Sequence, residues 1–396
     1  MSGGRSPDSI GLVWRTAGES HGPALVALLE GMPAGLPLDV AAIQAGMLRR
    51  WKAYGRGPRA GFEKDALEVL GGLKKGITLG TPLAFRIANA DTRIDELPNL
   101  AAPRPGHADL AGVLRARCRD VRAVLERASA RETAARTALG EAARQLLARF
   151  GIEVCAFVTA ICGVEAAPLS EEEEAGLFQA RDKSLFFGAG PALDEAWRAR
   201  IEQAREEGDS LGGIFEVRVR GCPPGLGGLA QPCDRLDARL MAALASIPAI
   251  KGVEIGLGFG GAGVPGSAYH DPIVVDPKGW AGLGRASNHA GGVEGGLTNG
   301  GEIRLRAVMK PIPTLRQGMA SVALATMQPA RATYERSDVC TVPAASVVGE
   351  AAVALEVASA LRARLGGFTL AEMLARFGAL GRGEDPRGWP ENLSGP

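Results

Sequence analysis

Alternation of apolar and polar positions marks the strands. From Ile214 to Arg220, Phe215, Val217 and Val219 fall on one side and Glu216, Arg218 and Arg220 on the other, and Ile303 to Arg306 repeats the pattern. A period of two with one polar face predicts strands of an antiparallel sheet with one wet face. Residues 67–89 read as strand–turn–strand, broken at Lys74-Lys75-Gly76 and again at Gly80-Thr81-Pro82. Helical spacing links Val40, Ile43, Met47, Leu48 and Trp51, after an N-cap at Asp39 and with an end near Gly55. Residues 109–150 predict helix, interrupted around Ala128-Ser129. Amphipathic helices are predicted from Asp234 to Ile247 and over much of 344–365, and Thr369-x-x-Glu372 is a capping box opening a last short one. Strands and helices follow no regular βαβ order, so the predicted class is α+β. No linker or repeat forces a cut, which predicts a single domain over 11–380 between polar tails at 1–10 and 381–396.

Composition narrows the function. Glycine is the outlier, 55 of 396 residues, about twice the usual ~7% share, which implies many tight turns and backbone-lined cavities. The 45 Lys and Arg nearly cancel the 44 Asp and Glu, leaving a net charge of +1, and aromatics are 5%. Both figures argue against a nucleic-acid-binding protein, which would show a basic excess or a stacking platform. The six cysteines form no C-x-x-C pair and no regular framework, no apolar signal segment opens the chain, and no stretch reads as a membrane span of ~20 apolar residues. A soluble cytoplasmic protein with reduced thiols is expected. No His or Cys pair has metal-ligand spacing, so no metal is expected.

Chemistry concentrates in a few segments, each of which also has a plain structural explanation. His21, in Gly18-Glu19-Ser20-His21-Gly22, is one of four histidines, the side chain that exchanges protons near neutral pH. Ser129-x-x-Glu132 reads as a capping box, yet Arg127 and Arg131 beside it oppose the helix dipole, a conflict that an anionic ligand would remove. Arg49, Arg50 and Lys52 suit a helix C-terminus, whereas Arg56 between glycines, with Arg59 nearby, reads as a loop closing on phosphate or carboxylate. His107, in Arg104-Pro105-Gly106-His107-Ala108-Asp109, falls at a loop–helix junction, where a capping role is the simple alternative. Lys310-Pro311-Ile312-Pro313-Thr314 is either a strand terminator or a stiff phosphate-facing turn. Gly291-Gly292, Gly295-Gly296 and Gly300-Gly301 suit a backbone wall around a planar ligand or a flexible loop. Arg336-Ser337-Asp338 is a local ion pair or part of a site.

Together these segments resemble the chorismate synthase family from about residue 14 to residue 365. The resemblance rests on Thr16 to Pro23, Glu30 to Gly35, Tyr54 to Gly57, Arg104 to Asp109, Glu126 to Thr133, Lys251 to Gly256, Lys310 to Thr314 and Arg336 to Asp338. It implies a β-α-β sandwich, a homotetramer, and the anti-1,4-elimination of phosphate from 5-enolpyruvylshikimate 3-phosphate to give chorismate, dependent on reduced FMN. It further implies that Ser20, Arg50, Arg56, Arg59, Arg104, Arg131 and Arg336 hold the anionic substrate. His21 is then the general acid to the departing phosphate, His107 stands at the reduced flavin, and Asp338 assists proton removal through flavin N5. Flavin contacts fall on Arg127, Ser129, Ala249, Gly295, Lys310, Pro311, Ile312, Pro313, Thr314 and Arg336. With no added reductase domain or recognisable nicotinamide motif, a separate flavin reductase is expected.

Three departures from the family pattern fall in flavin or glycine-loop segments: Pro248 for an asparagine, Ala128 for a serine, and His289 for an asparagine. Two rival readings remain: a phosphate-ligand-binding scaffold without turnover, and an RNA-binding protein using the Arg115 to Arg136 stretch.

Overall fold

The computed structural model describes residues 11–55, 63–332, 334, 338–380 and 385–391. Two antiparallel sheets enclose a layer of helices. The first sheet has strand order β1-β2-β4-β3, built from Val13–Ala17 (β1), Ala24–Glu30 (β2), Leu67–Gly71 (β3) and Leu83–Ala88 (β4). The second lines up Ile250–Ile255, Ile303–Met309, Gly213–Arg220, Glu153–Ile161 and Val164–Glu165, with every neighbouring pair antiparallel. The α+β expectation holds, and the layers form a β-α-β sandwich.

Helices α1 (Val40–Lys52), α2 (Asp109–Ala116), α3 (Val121–Ala128) and α4 (Thr133–Ala148) precede the second sheet, and a long helix, Val342–Leu365, follows it. The inner layer is α4 against that long helix: α4 faces β2 and β4, and the long helix faces Glu153–Ile161 and Gly213–Arg220. Small residues make this packing possible. Ala134, Ala135, Ala138, Ala142 and Ala143 are fully buried on α4, and a Cβ on Gly140 would lie 2.3 Å from that of Ala351. One continuous apolar core runs from Leu12 to Met373.

Several expectations meet their elements. Asp39 caps α1 by accepting from the Ala42 amide, and Thr369 and Glu372 form both halves of their capping box. Others are corrected. The helix over 342–365 has no polar face: it lies between two sheets, is buried over nearly its whole length, and its few charged residues do not fall on one solvent side. It is also long and apolar enough to match a membrane span, contrary to the expectation that no stretch is, but 94% of its most apolar window is buried inside the fold, as in a core helix. Arg218, on the strand face expected to be wet, is buried among Glu174, Glu216 and Glu302. At Ser129 the capping box does not form: Ser129 caps through the Arg131 amide at 3.3 Å, while Glu132 turns to Thr16 and Arg136.

Candidate active site

A cavity of about 1000 Å³ opens between α1, the α3–α4 junction, the 89–109 loops and the start of the long helix. Its lining brings together Ser20, His21, Arg50, Arg104, His107, Ser129, Arg131, Ala249, Lys310, Ile312, Pro313, Thr314 and Asp338 from segments far apart in sequence. Arg127, Gly295 and Pro311 are not among its lining residues. Arg127 instead donates to the Thr16 carbonyl at 3.1 Å and to its hydroxyl at 3.0 Å, and Gly295 sits in the turn between Val293–Glu294 and Leu297–Thr298. Arg56, Arg59 and Arg336 lie outside the described residues.

The His21 loop is held from both sides. Gly18 has φ +105°, and a Cβ there would meet the Ala24 carbonyl at 2.4 Å, so glycine is required. The Asn89 amide donates to the carbonyls of Glu19 (3.0 Å) and Gly22 (2.7 Å), and its oxygen accepts from Arg131 Nε at 2.8 Å. On the other side, Glu126 of α3 accepts from the His21 amide at 2.8 Å and from His21 Nδ1 at 2.9 Å. Burial would raise the Glu126 pKa, but the bonds from His21 and the nearby Arg122 outweigh it and hold the carboxyl below its ordinary value.

Among the described residues, every arginine lining the cavity is already matched with a carboxylate. Arg50 donates to Asp65 at 2.7 Å, Arg131 bonds the other Asp65 oxygen and faces Glu63 at 3.5 Å, and Trp51 Nε1 donates to Asp65 at 2.7 Å. Arg104 grips Asp109 through two N–H groups at 2.8 and 3.0 Å, and Arg93 grips Asp91 at 2.8 and 3.0 Å. Burial works against ionised Asp65, yet Arg50 and Arg131 together keep its pKa below the usual range. Such pairs fix the plane of each guanidinium in the cavity wall.

The opposite wall carries His107. Burial, and then the charges of Arg104 and Lys310, lower its pKa to about 4 against the pull of Asp109, so the ring is neutral near neutral pH. Among the described residues its buried Nδ1 has no well-aligned partner, and Nε2 lies 3.4 Å from the Thr314 hydroxyl. Lys310 donates to the Gly106 carbonyl, and its pKa is lowered by burial and by Lys251. A Cβ on Gly106 (φ +79°) would meet Pro313 at 2.9 Å, so glycine lets these two loops close against each other.

Pro248 and Ala249 form a defined turn. The Ile250 amide bonds the Ile247 carbonyl at 3.2 Å, and Ala249 has φ +71°. With proline fixing the first central position, this is a type II turn. Its hydrogen bond does not use the amide that Pro248 lacks. Ala128 lines the cavity, whereas His289 is not among the lining residues and bonds the Tyr269 carbonyl at 2.8 Å.

Sequence reasoning missed Asn89, Asp65, Glu126 and the Asp91–Arg93 pair. Glu126 carried one local signal: an acidic residue in the last turn of a helix opposes the dipole and calls for a partner elsewhere.

Paired arginines and two histidines around one cavity are equipment for acid–base chemistry on a multiply charged anion, and the protein is an enzyme of that class. The family model "Chorismate synthase" matches residues 12–361. The chain is 48% identical over 375 residues to a chorismate synthase of Desulforamulus reducens, covering 91% of this chain and 96% of the relative. It is 46% identical to one of Geobacter sulfurreducens, with 92% and 97% covered. A crystal structure of a chorismate synthase superposes with a TM-score of 0.79 at 39% identity, covering 94% of this chain and 98% of that one. The chain belongs to the chorismate synthase family. Its reaction is that family's, the phosphate-eliminating conversion of 5-enolpyruvylshikimate 3-phosphate to chorismate in the shikimate pathway.

Proposed function

We propose that the cavity encloses 5-enolpyruvylshikimate 3-phosphate beside reduced FMN, and that His21, His107 and Asp338 carry the elimination. The supporting observation is the convergence of these three side chains with Arg50, Arg104 and Arg131 on one cavity of about 1000 Å³, at the upper end of the volume that suits a single enclosed ligand (~300–1000 Å³). Two ligands therefore have room.

The lining fits a flavin. Leu125, Ile247, Met309, Ala344, Ala345 and Val348 offer an apolar lining to a planar ring, and His107 in the same lining offers it a polar side chain. Ser129, Ala249, Lys310, Ile312, Pro313 and Thr314 would hold it, with Arg127, Gly295, Pro311 and Arg336 assigned by resemblance. Bound reduced FMN supplies a transiently lent electron and an N5 that accepts the substrate proton.

The chain's own residues do the rest. Arg50, Arg104 and Arg131, with Ser20 and with Arg56, Arg59 and Arg336, grip phosphate and carboxylates. His21 donates a proton to the departing phosphate oxygen through Nε2, the ring nitrogen that Glu126 leaves to the cavity. Neutral His107 contributes a ring hydrogen bond, and Asp338 assists the proton removal that flavin N5 would carry out. Residues 11–380 act as one catalytic domain, a reading supported by the continuous core. Self-assembly as a homotetramer is supported by Phe259 (84% exposed) and by the consecutive strand residues Ile273, Val274 and Val275 (66, 39 and 83%), an apolar surface that water disfavours.

Anaerobic mixing of the protein with chemically reduced FMN and 5-enolpyruvylshikimate 3-phosphate is expected to release phosphate and chorismate at equal rates. Oxidised FMN with NADPH is expected to give neither without an added reductase, and light scattering of the same sample is expected to return a tetramer mass. Absence of both products with flavin and substrate bound would favour the scaffold without turnover.

Pro248→Asn is expected to tighten reduced FMN by up to about tenfold, because the restored amide adds one hydrogen bond worth roughly 0.5–1.5 kcal/mol. Anaerobic flavin titration reads the change, and an unaltered affinity would mean that no contact is missing at this turn.

A further inference from the structure

We propose that Glu126 is a positioning residue for the elimination, holding His21 with Nδ1–H on its carboxylate so that Nε2 meets the leaving phosphate. The proposal rests on the reading of His21 as general acid. Glu126 holds the His21 loop at three points: its Oε1 faces His21 Nδ1 at 2.9 Å, its Oε2 accepts from the His21 amide at 2.8 Å, and its carbonyl accepts from the Ser20 amide at 3.0 Å.

Its side chain is only 3% exposed. Burying a carboxylate at the C-terminal turn of α3 is costly for the helix itself, since the dipole there disfavours negative charge. Its i,i+4 neighbour Arg122 sits 3.9 Å away, too far for a close pair. The hydrogen bonds to His21 recover most of the cost, with the charge of Arg122 a smaller contribution.

An ionised carboxylate has only lone pairs to offer, so the ring nitrogen facing it carries the hydrogen. This sets the tautomer in the same way that a carboxylate orients histidine in hydrolase triads. After Nε2 gives its proton to the phosphate oxygen, the neutral ring keeps Nδ1–H on Glu126, ready for a proton from solvent. The charged groups around the ring are Glu126 with Arg122 behind it on α3, and Asp91 with Arg93 on the loop after β4. Hydrogen bonds from Arg93, with His21's charge a smaller contribution, hold Asp91 down to about 2 against partial burial. Asp91 is committed to Arg93, which leaves Glu126 as the carboxylate bonded to the ring.

The test is a double-mutant cycle on the full-length protein with reduced FMN. Glu126→Gln is expected to lower kcat about 10²-fold with KM within about threefold. Glu126→Asp, which keeps a carboxylate acceptor for Nδ1–H, is expected to recover most of kcat. In a His21→Asn background, Glu126→Gln is expected to cost less than about threefold, because the partner through which it acts is gone. Equal losses in both backgrounds would overturn the proposal and make Glu126 a brace for the loop. Full turnover by His21→Asn alone would instead remove the general-acid reading, before Glu126 is touched. Ring 15N shifts of His21 in the ligand-free protein supply a readout independent of turnover: the Nδ1–H tautomer in the parent, and a mixture in Glu126→Gln. A parent ring already mixed also overturns the proposal.

Discussion

His21→Asn is expected to lower kcat for phosphate release by about 10²–10⁴-fold, the range over which a positioned general acid acts. Asparagine is the informative replacement. Its amide can still donate to Glu126, so the 18–23 loop stays clamped between α3 and Asn89. Substrate binding should change little, because the arginine grip is built on other segments: Arg50 on α1, Arg104 before α2 and Arg131 before α4. A fall in kcat with KM nearly constant is the signature of an interaction made only in the transition state. Anaerobic single-turnover mixing, which separates chemistry from product release, reads it directly. A loss of less than about tenfold would assign proton delivery to another group.

The largest expected effect on stability comes from a residue outside the cavity lining. Glu350, in the middle of the long central helix and wholly buried, bonds Arg49 at 2.7 Å, Arg144 at 2.9 Å, Arg181, and the Ala156 amide at 2.9 Å. It joins α1, α4, the strand Glu153–Ile161 and the turn at Arg181–Lys183. Glu350→Ala would leave these arginines facing one another around an unfilled space. Breaking a buried charge set in this way costs about 3–5 kcal/mol. Glu141 moderates the loss, because it bonds Arg144 at 2.9 Å and keeps that arginine partnered. The expected cost is therefore about 3 kcal/mol, read by denaturant unfolding of parent and variant, with reduced FMN binding kept in the folded fraction. A change below about 1 kcal/mol would show that the cluster's desolvation cost cancels its attraction.

The same cluster sets an acid limit. Burial alone would raise Glu350, but Arg144, Arg49 and Arg181 pull it from the ordinary 4.5 to about 2. A depressed folded-state value means that the unfolded chain binds the proton first, so this stabilisation is complete above pH 4.5 and is lost as pH falls toward 2. Glu141 runs the other way: burial, and then Glu350's charge against that of Arg144, raise it, so its ionisation weighs on the fold as pH rises. Glu350→Ala is expected to flatten the loss of stability between pH 4.5 and 2.

By itself, the sequence determined what is local. The alternation at 214–220 specified a strand, Asp39 and Thr369 specified helix starts, and Pro248 ahead of Ala249 specified a turn, because each depends on neighbours a few residues apart. The motif segments also announced which side chains carry the chemistry, and thirteen of those described line one cavity. Only the tertiary structure decided who partners whom. Asp65 unites Arg50 and Arg131 from two helices, Glu126 reaches across 105 residues to His21, and Glu350 gathers arginines from three elements. It also turned the helix expected to be amphipathic into one buried all round. Pairing and burial are properties of the assembled layers, set by how closely sheets and helices approach, and no spacing along the chain encodes them.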